Sequence, residues 1–364
     1  MTSTDGTSTA CGAPFFGKRI LIIGGTGSLG QCLVKRILSG SNGTAAAVVI
    51  LSRDEAKQYA MLQELATRER AGAKKTVLER LVSFRIGDAR SFSDVCGALD
   101  GIDVVVYAAA MKQVPTCEYY PEQAISTNCI GAINVVRAII QQRLPVSSVV
   151  GISTDKACKP INVMGMTKAL QERIFLSANI ARPNTRFTCV RYGNVLASRG
   201  SVIPLFLSQI RAGGPVTITD PAMTRFLLPL EHAVDTVVTA LDHARPGETV
   251  IPIAPSATVE SIATALIGEN PVEVRILGSR PGEKVHEILI SEEELAYTRR
   301  QGDYYFIGSR LPELQLQERI QCALSRELSS ETSLLTAAAT RELLEDHGLI
   351  RPVADVAAVG EILR

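Results

Sequence analysis

Short apolar runs, each followed by a stretch of helical periodicity, set the rhythm of the first half of this chain. Residues 18–23 read as a buried strand that runs directly into a glycine-rich turn, and residues 31–38 continue from that turn as a helix. A second apolar run at 48–51 precedes an amphipathic helix over about 54–70. Further strands are expected at 81–86, 104–107, 148–152 and 187–192, with helices at 121–142 and 164–179. Strands that are apolar along nearly their whole length are those buried on both faces. Their alternation with helices predicts an α/β fold, a Rossmann-type doubly wound parallel sheet.

After residue 194 the rhythm breaks. Pro204, Gly213-Gly214-Pro215, Pro221, Pro229, Pro246-Gly247 and Pro252 cut the chain into short elements. The expected organisation is a disordered tail over residues 1–14, a strand–helix domain over 15–194 and a smaller lobe over 195–310, partly threaded back against the sheet. A polar helical segment over 311–364 follows, with a capping start at Ser329-Ser330-Glu331.

Composition narrows the possible partners. The 38 basic and 37 acidic residues nearly cancel, so no global field exists to hold nucleic acid or an anionic membrane, and a phosphorylated ligand must be held by local groups. The eight cysteines are scattered without a Cys-x-x-Cys pair. That argues against a disulfide framework or a metal site and for a reducing, cytoplasmic setting. The apolar runs look shorter than the roughly 20 residues of a membrane helix, and residues 1–14 lack the pattern of a signal peptide.

The turn Gly24-Gly25-Thr26-Gly27-Ser28-Leu29-Gly30 follows the first strand and opens a helix. Glycines there allow a tight turn and let a pyrophosphate approach backbone N–H groups at the helix N-terminus. Gly24, Thr26, Gly27, Ser28 and Leu29 are therefore expected to hold a dinucleotide. An NAD site usually carries a carboxylate at the tip of the second strand. Here Ser52 and Arg53 stand at the tip, and Arg53 with Lys57 suits a 2′-phosphate, so NADP is the expected cofactor. Asp88 fits adenine contact, and Ala108, Ala109 and Ala110 fit a close backbone approach beside the cofactor.

The motifs in series resemble the UDP-N-acetylglucosamine 4,6-dehydratases, which are extended short-chain dehydrogenase/reductases. Besides the glycine turn they include Ser153-Thr154-Asp155-Lys156, Arg191-Tyr192-Gly193-Asn194-Val195, Met223-Thr224-Arg225-Phe226 and Arg280-Pro281-Gly282-Glu283-Lys284-Val285-His286-Glu287. The resemblance covers roughly residues 16–290. Met164 and Lys168 have the spacing of the superfamily's Tyr-x-x-x-Lys pair with the tyrosine replaced, as in one branch of these dehydratases.

The resemblance implies a hydro-lyase acting on UDP-N-acetylglucosamine. Hydride leaves sugar carbon 4 for NADP+, the carbon 5 proton and the carbon 6 hydroxyl are lost, and hydride returns to carbon 6. A thioether is no base, so Met164 cannot take the 4-hydroxyl proton. Asp155 is the expected substitute, handing that proton to the departing 6-hydroxyl. Lys156 is expected to remove the carbon 5 proton, provided burial or nearby Lys168 lowers its pKa. Thr154 would bond the 4-oxygen, and Lys168 would hold the nicotinamide ribose.

Asn194, Arg225, Arg280 and Glu283 are placed around the UDP by resemblance, with Lys112 near the sugar. Asp155 and Lys156 are also expected to contact the substrate. Ala89, Lys112, Asn128, Tyr192 and Asn194 complete the expected cofactor set. A homo-oligomer, dimer or hexamer, is expected. Two other readings stay open: a nucleotide-sugar epimerase or 4-ketoreductase, and a non-catalytic NADP-binding sensor or scaffold.

Overall fold

The computed structural model describes residues 13–70, 81–196, 198, 201–278, 282–315 and 322–350. Among these, nine strands form one sheet. The first six run parallel: β1 (Arg19–Ile23), β2 (Ala47–Ser52), β3 (Val82–Ile86), β4 (Val104–Tyr107), β5 (Ser148–Thr154) and β6 (Arg186–Tyr192). Their spatial order is β3-β2-β1-β4-β5-β6. The order reverses between β1 and β4, which opens a crevice at the carboxyl ends of the strands. Thr249–Pro252 adds parallel to β6, and the antiparallel strands Tyr304–Ile307 and Thr298–Gln301 close that edge. The fold is the expected Rossmann-type α/β sheet.

Helices cover both faces. Ser28–Ser39 buries Gly30, Leu33, Val34 and Ile37, one stripe at helical spacing, and ends at Gly40 in the left-handed conformation. It shares a core with Ala233, Val234 and Val237 of the helix Leu230–His243. The opposite face is covered by Pro121–Gln141 and Val163–Ala181, through Ala132, Val135, Phe175 and Leu176. A third apolar cluster, including Phe206, Val216, Ile262 and Leu344, forms a lobe beyond the carboxyl ends of the strands.

Two expectations are corrected here. The helix Pro121–Gln141 has 21 residues and a mean hydropathy of 1.2, long and apolar enough to cross a membrane by length and composition. In the fold 56% of its apolar window is buried, as in a core helix. The segment after 311 is not one helix. Pro312–Leu314 is a single turn and Leu328–Ser329 is a strand antiparallel to Ile288–Ile290. The helix there is Ala337–Asp346, capped by Thr336 rather than by Ser329-Ser330-Glu331. Ser330 is fully buried, and its hydroxyl bonds Thr224 and the Glu287 main chain instead. Residues 1–12, 316–321 and 351–364 of the expected terminal segments lie outside the described residues.

Candidate active site

The strand ends open into a cleft of about 1350 Å³ that runs from the glycine turn to the lobe. Gly24, with φ +85°, is forced by contact as well as by torsion: a Cβ there would lie 2.6 Å from the Ala109 main-chain nitrogen. The turn therefore sits directly against the exit of β4. Gly27 caps the following helix without a side-chain bond, so the first N–H groups of Ser28–Ser39 face the cleft unshielded. Gly24, Thr26, Gly27, Ser28, Leu29 and Ala108 to Ala110 all line it, as do Ser52, Arg53, Lys57, Asp88 and Ala89. These residues fit a dinucleotide.

The polar partners at the β2 tip bear on which dinucleotide. Ser52 accepts from Gln58, and the Asp54 carboxylate bonds Lys57 at 2.6 Å while capping the next helix at the Lys57 N–H. Asp88 is held bidentately by Arg90, with Arg53 at 3.8 Å. Although burial opposes it, the Arg90 bond keeps the Asp88 carboxyl below its usual range. The carboxylates here already carry cationic partners, and Arg53 remains largely exposed.

At the tip of β5 the chain makes one 3-10 turn, Asp155–Ala157, because the Thr154 hydroxyl accepts from the Lys156 N–H and ends the strand. Asp155 is wholly buried. Its Oδ1 accepts from Thr154 at 2.8 Å and from Lys156 Nζ at 3.1 Å. Lys156 Nζ also meets Glu287 Oε1 at 3.0 Å. The three groups form a carboxylate–ammonium–carboxylate row lining the cleft.

Burial pushes the Asp155 carboxyl up, which suits a group that must both take and return a proton. Burial also works against the Lys156 charge, yet Asp155 and Glu287 together hold the ammonium above the ordinary lysine range. The expectation that burial or Lys168 would lower it is thus corrected: two carboxylates outweigh desolvation. For Glu287 burial raises the pKa, but Lys156 and Arg225 prevail and hold it low.

The helix Val163–Ala181 carries Met164 and Lys168. Asn162 starts it by accepting from the Gly165 N–H at 2.8 Å and donates to Gly282 O at 2.8 Å, joining the helix to the far wall. Gly165 lets the helix touch the Asp155–Ala157 turn, since a Cβ there would lie 2.2 Å from Lys156 O. Met164 lines the cleft and packs with Cys117 and Ala124. Lys168 Nζ donates to Ile152 O and to Gln171 Oε1, and burial lowers its pKa to about 8.

The far wall brings Lys112, Tyr192, Asn194, Arg225 and Glu283 onto the same cleft. Asp155 Oδ2, Asn194 Oδ1, Glu283 Oε2 and Glu287 Oε2 are buried with no hydrogen-bond partner among the described residues. Ser153 Oγ, on the same lining, is a fifth. Buried polar atoms are normally paired, and such a set along one cleft points to a polar ligand. Arg280 lies outside the described residues. Asn128 does not line the cleft: it is fully buried, and its amide clamps the Met111 main chain and Thr167 behind the wall. Glu287 is the group that sequence reasoning missed, although it ends the quoted Arg280-to-Glu287 motif.

Behind the site, Arg191 bonds Glu172, Glu294 and Leu289 O in a buried network. It ties β6 to the Lys168 helix and to the segment that carries Glu287.

The sequence matches the family described as "Polysaccharide biosynthesis protein" over residues 20–309. A protein of Rickettsia conorii named UDP-glucose 4-epimerase is 44% identical over 298 residues, covering 80% of this chain and 83% of that one. Its counterpart in Rickettsia prowazekii is 43% identical with the same coverage. The crystal structure of Pen from Bacillus thuringiensis superposes with a TM-score of 0.82 at 33% identity, over 93% of this chain and 99% of that chain. DesIV, a dTDP-glucose 4,6-dehydratase from Streptomyces venezuelae with NAD bound, shares the fold at 20% identity and a TM-score of 0.65, over 73% and 86% of the two chains.

Proposed function

Because the chain belongs to the polysaccharide biosynthesis protein family, within the nucleotide-sugar-modifying extended short-chain dehydrogenase/reductases, we propose that it is an NADP-dependent UDP-N-acetylglucosamine 4,6-dehydratase. The observation that carries this reading is the row of Asp155, Lys156 and Glu287 at the cleft, without a tyrosine at position 164. Removing and returning hydride at one carbon needs a single acid–base group. Elimination across carbons 5 and 6 needs at least two, one for a carbon-bound proton and one for a leaving hydroxyl.

Bound NADP+ supplies the acceptor for the carbon 4 hydride and its return to carbon 6. Asp155 takes the 4-hydroxyl proton and gives it to the departing 6-hydroxyl, so its own protonation is restored each turnover. Lys156 removes the carbon 5 proton as the free amine and restores a proton there at the end. Thr154 orients Asp155 through their 2.8 Å bond, and once Asp155 is protonated the Thr154 hydroxyl turns to the 4-oxygen. Lys168 holds the nicotinamide ribose, and Arg53 with Lys57 takes the 2′-phosphate. Arg225 faces the diphosphate, Asn194 and Glu283 bind the rest of the UDP, and Lys112 lies by the sugar.

Exposed Ile125, Ile133, Met166, Leu170 and Ile180 on the helices Pro121–Gln141 and Val163–Ala181 support a homo-oligomer. A cytoplasmic location belongs to the same reading.

The names of the Rickettsia relatives favour a second reading, a 4-epimerase. Incubation of the protein with UDP-N-acetylglucosamine and catalytic NADP+ in heavy water separates the two. The dehydratase yields a 4-keto-6-deoxy sugar that has lost water and carries deuterium at carbon 5. An epimerase yields the carbon 4 epimer at unchanged mass and without label, and that result would replace the proposal.

A further inference from the structure

We propose that Glu287 is the proton partner of Lys156: its carboxylate takes the extra ammonium proton when sugar fills the cleft, leaving the amine that strips carbon 5. The proposal rests on the dehydratase reading for the step at carbon 5. The pairing itself rests on geometry. Glu287 Oε1 lies 3.0 Å from Lys156 Nζ, as close as Asp155 Oδ1 at 3.1 Å. Asp155 Oδ1 already accepts from Thr154 as well as from Lys156, and Asp155 has its own proton to carry between the 4- and 6-oxygens.

Glu287 has no such duty. It is 2% exposed, its position is fixed by its N–H donating to Ser330 Oγ at 2.9 Å, and its Oε2 has no partner among the described residues. The charged groups that face it are Lys156, Arg225, Lys284 and Asp155. The neighbouring His286 is turned to Thr224 and Glu331 instead.

Only Lys156 keeps appreciable contact with solvent, at 20% of its side chain against 3% for Glu287 and 1% for Asp155. A sugar entering the cleft removes that water, and an ion pair losing its last solvation approaches the energy of the neutral pair. The proton account closes. Lys156 ammonium and Glu287 carboxylate become amine and carboxylic acid, and the amine takes the carbon 5 proton. When carbon 5 is reprotonated by Lys156, the Glu287 proton returns to the amine.

The test compares the full chain with Glu287→Gln, which keeps the shape, and Glu287→Asp, which keeps the acid. Lysine labelled at the ε-carbon and read by NMR, with Lys156→Arg to assign the signal, follows the Lys156 titration without any substrate. In Glu287→Gln that titration moves to lower pH. Release of the keto sugar falls roughly 100-fold or more, and reduced nicotinamide accumulates because carbon 4 is still oxidised. The turnover that remains climbs with pH, since solvent must now take the ammonium proton, and Glu287→Asp recovers part of the loss. An unmoved Lys156 titration, or a slowed variant with the parent's pH profile, overturns the pairing. A parent protein that forms no keto-deoxy sugar defeats the dehydratase reading instead, and the NMR titration still decides the pairing.

Discussion

Replacing Arg191 by leucine tests how the site is held together. The guanidinium is 3% exposed and donates five hydrogen bonds, two to Glu172, two to Glu294 and one to Leu289 O. Although burial opposes its charge, Glu172 and Glu294 hold Arg191 well above its already high range. Leucine fills much of the space but leaves two buried carboxylates without a cation. Breaking a buried pair from one side costs about 3–5 kcal/mol, so the urea midpoint should fall by about 1 M or more.

The pH dependence should also change sign. In the parent, burial pushes Glu294 up but Arg191 wins and holds it low, so its stabilisation is present above the unfolded carboxylate pKa and is lost on acidification. In Arg191→Leu burial acts on Glu294 without that cation and raises its pKa, so its contribution is largest in acid and is lost as pH rises through the folded value. Urea melts at about pH 5 and about pH 8 should show the variant's deficit widening at the higher pH. A loss below about 1 kcal/mol, the range of an exposed ion pair, or a deficit that shrinks as pH rises, would refute the account.

Gly165→Ala puts a methyl 2.2 Å from Lys156 O, more than an ångström inside ordinary contact, so the helix and the Asp155–Ala157 turn must separate. Turnover should drop about 100-fold and stability by about 1–3 kcal/mol; parent-like turnover would show the turn tolerates displacement. Lys168, lowered to about 8 by burial, carries its charge only below that pH. NADP+ affinity measured by calorimetry on either side of pH 8 should weaken as pH rises, while the fold gains stability there because the unfolded chain binds the extra proton. A flat affinity would remove Lys168 from the cofactor contacts. Asp155→Asn keeps the size of a wholly buried side chain, so NADP+ should still bind while turnover disappears; normal turnover would end the proposed role of Asp155.

The sheet, the glycine turn and the helix Val163–Ala181 were legible in the chain because their causes are local. Apolar runs such as Ile20 to Ile23, a turn that only glycines can make at Gly24, and the Met164–Lys168 spacing depend on neighbours a few residues away. The motif order also marked most residues that line the cleft. Tertiary structure alone decided the charge states. Lys156 looked like an amine to be lowered by burial, but two carboxylates flank it, and Glu287 arrives from a distant part of the chain. Asn128 and Ser330 carry polar groups that suit a ligand or a helix cap, and the fold spends both on main-chain bonds behind the site. A pKa is set by burial and by charges a few ångströms away through space, and sequence periodicity reports only neighbours along the chain.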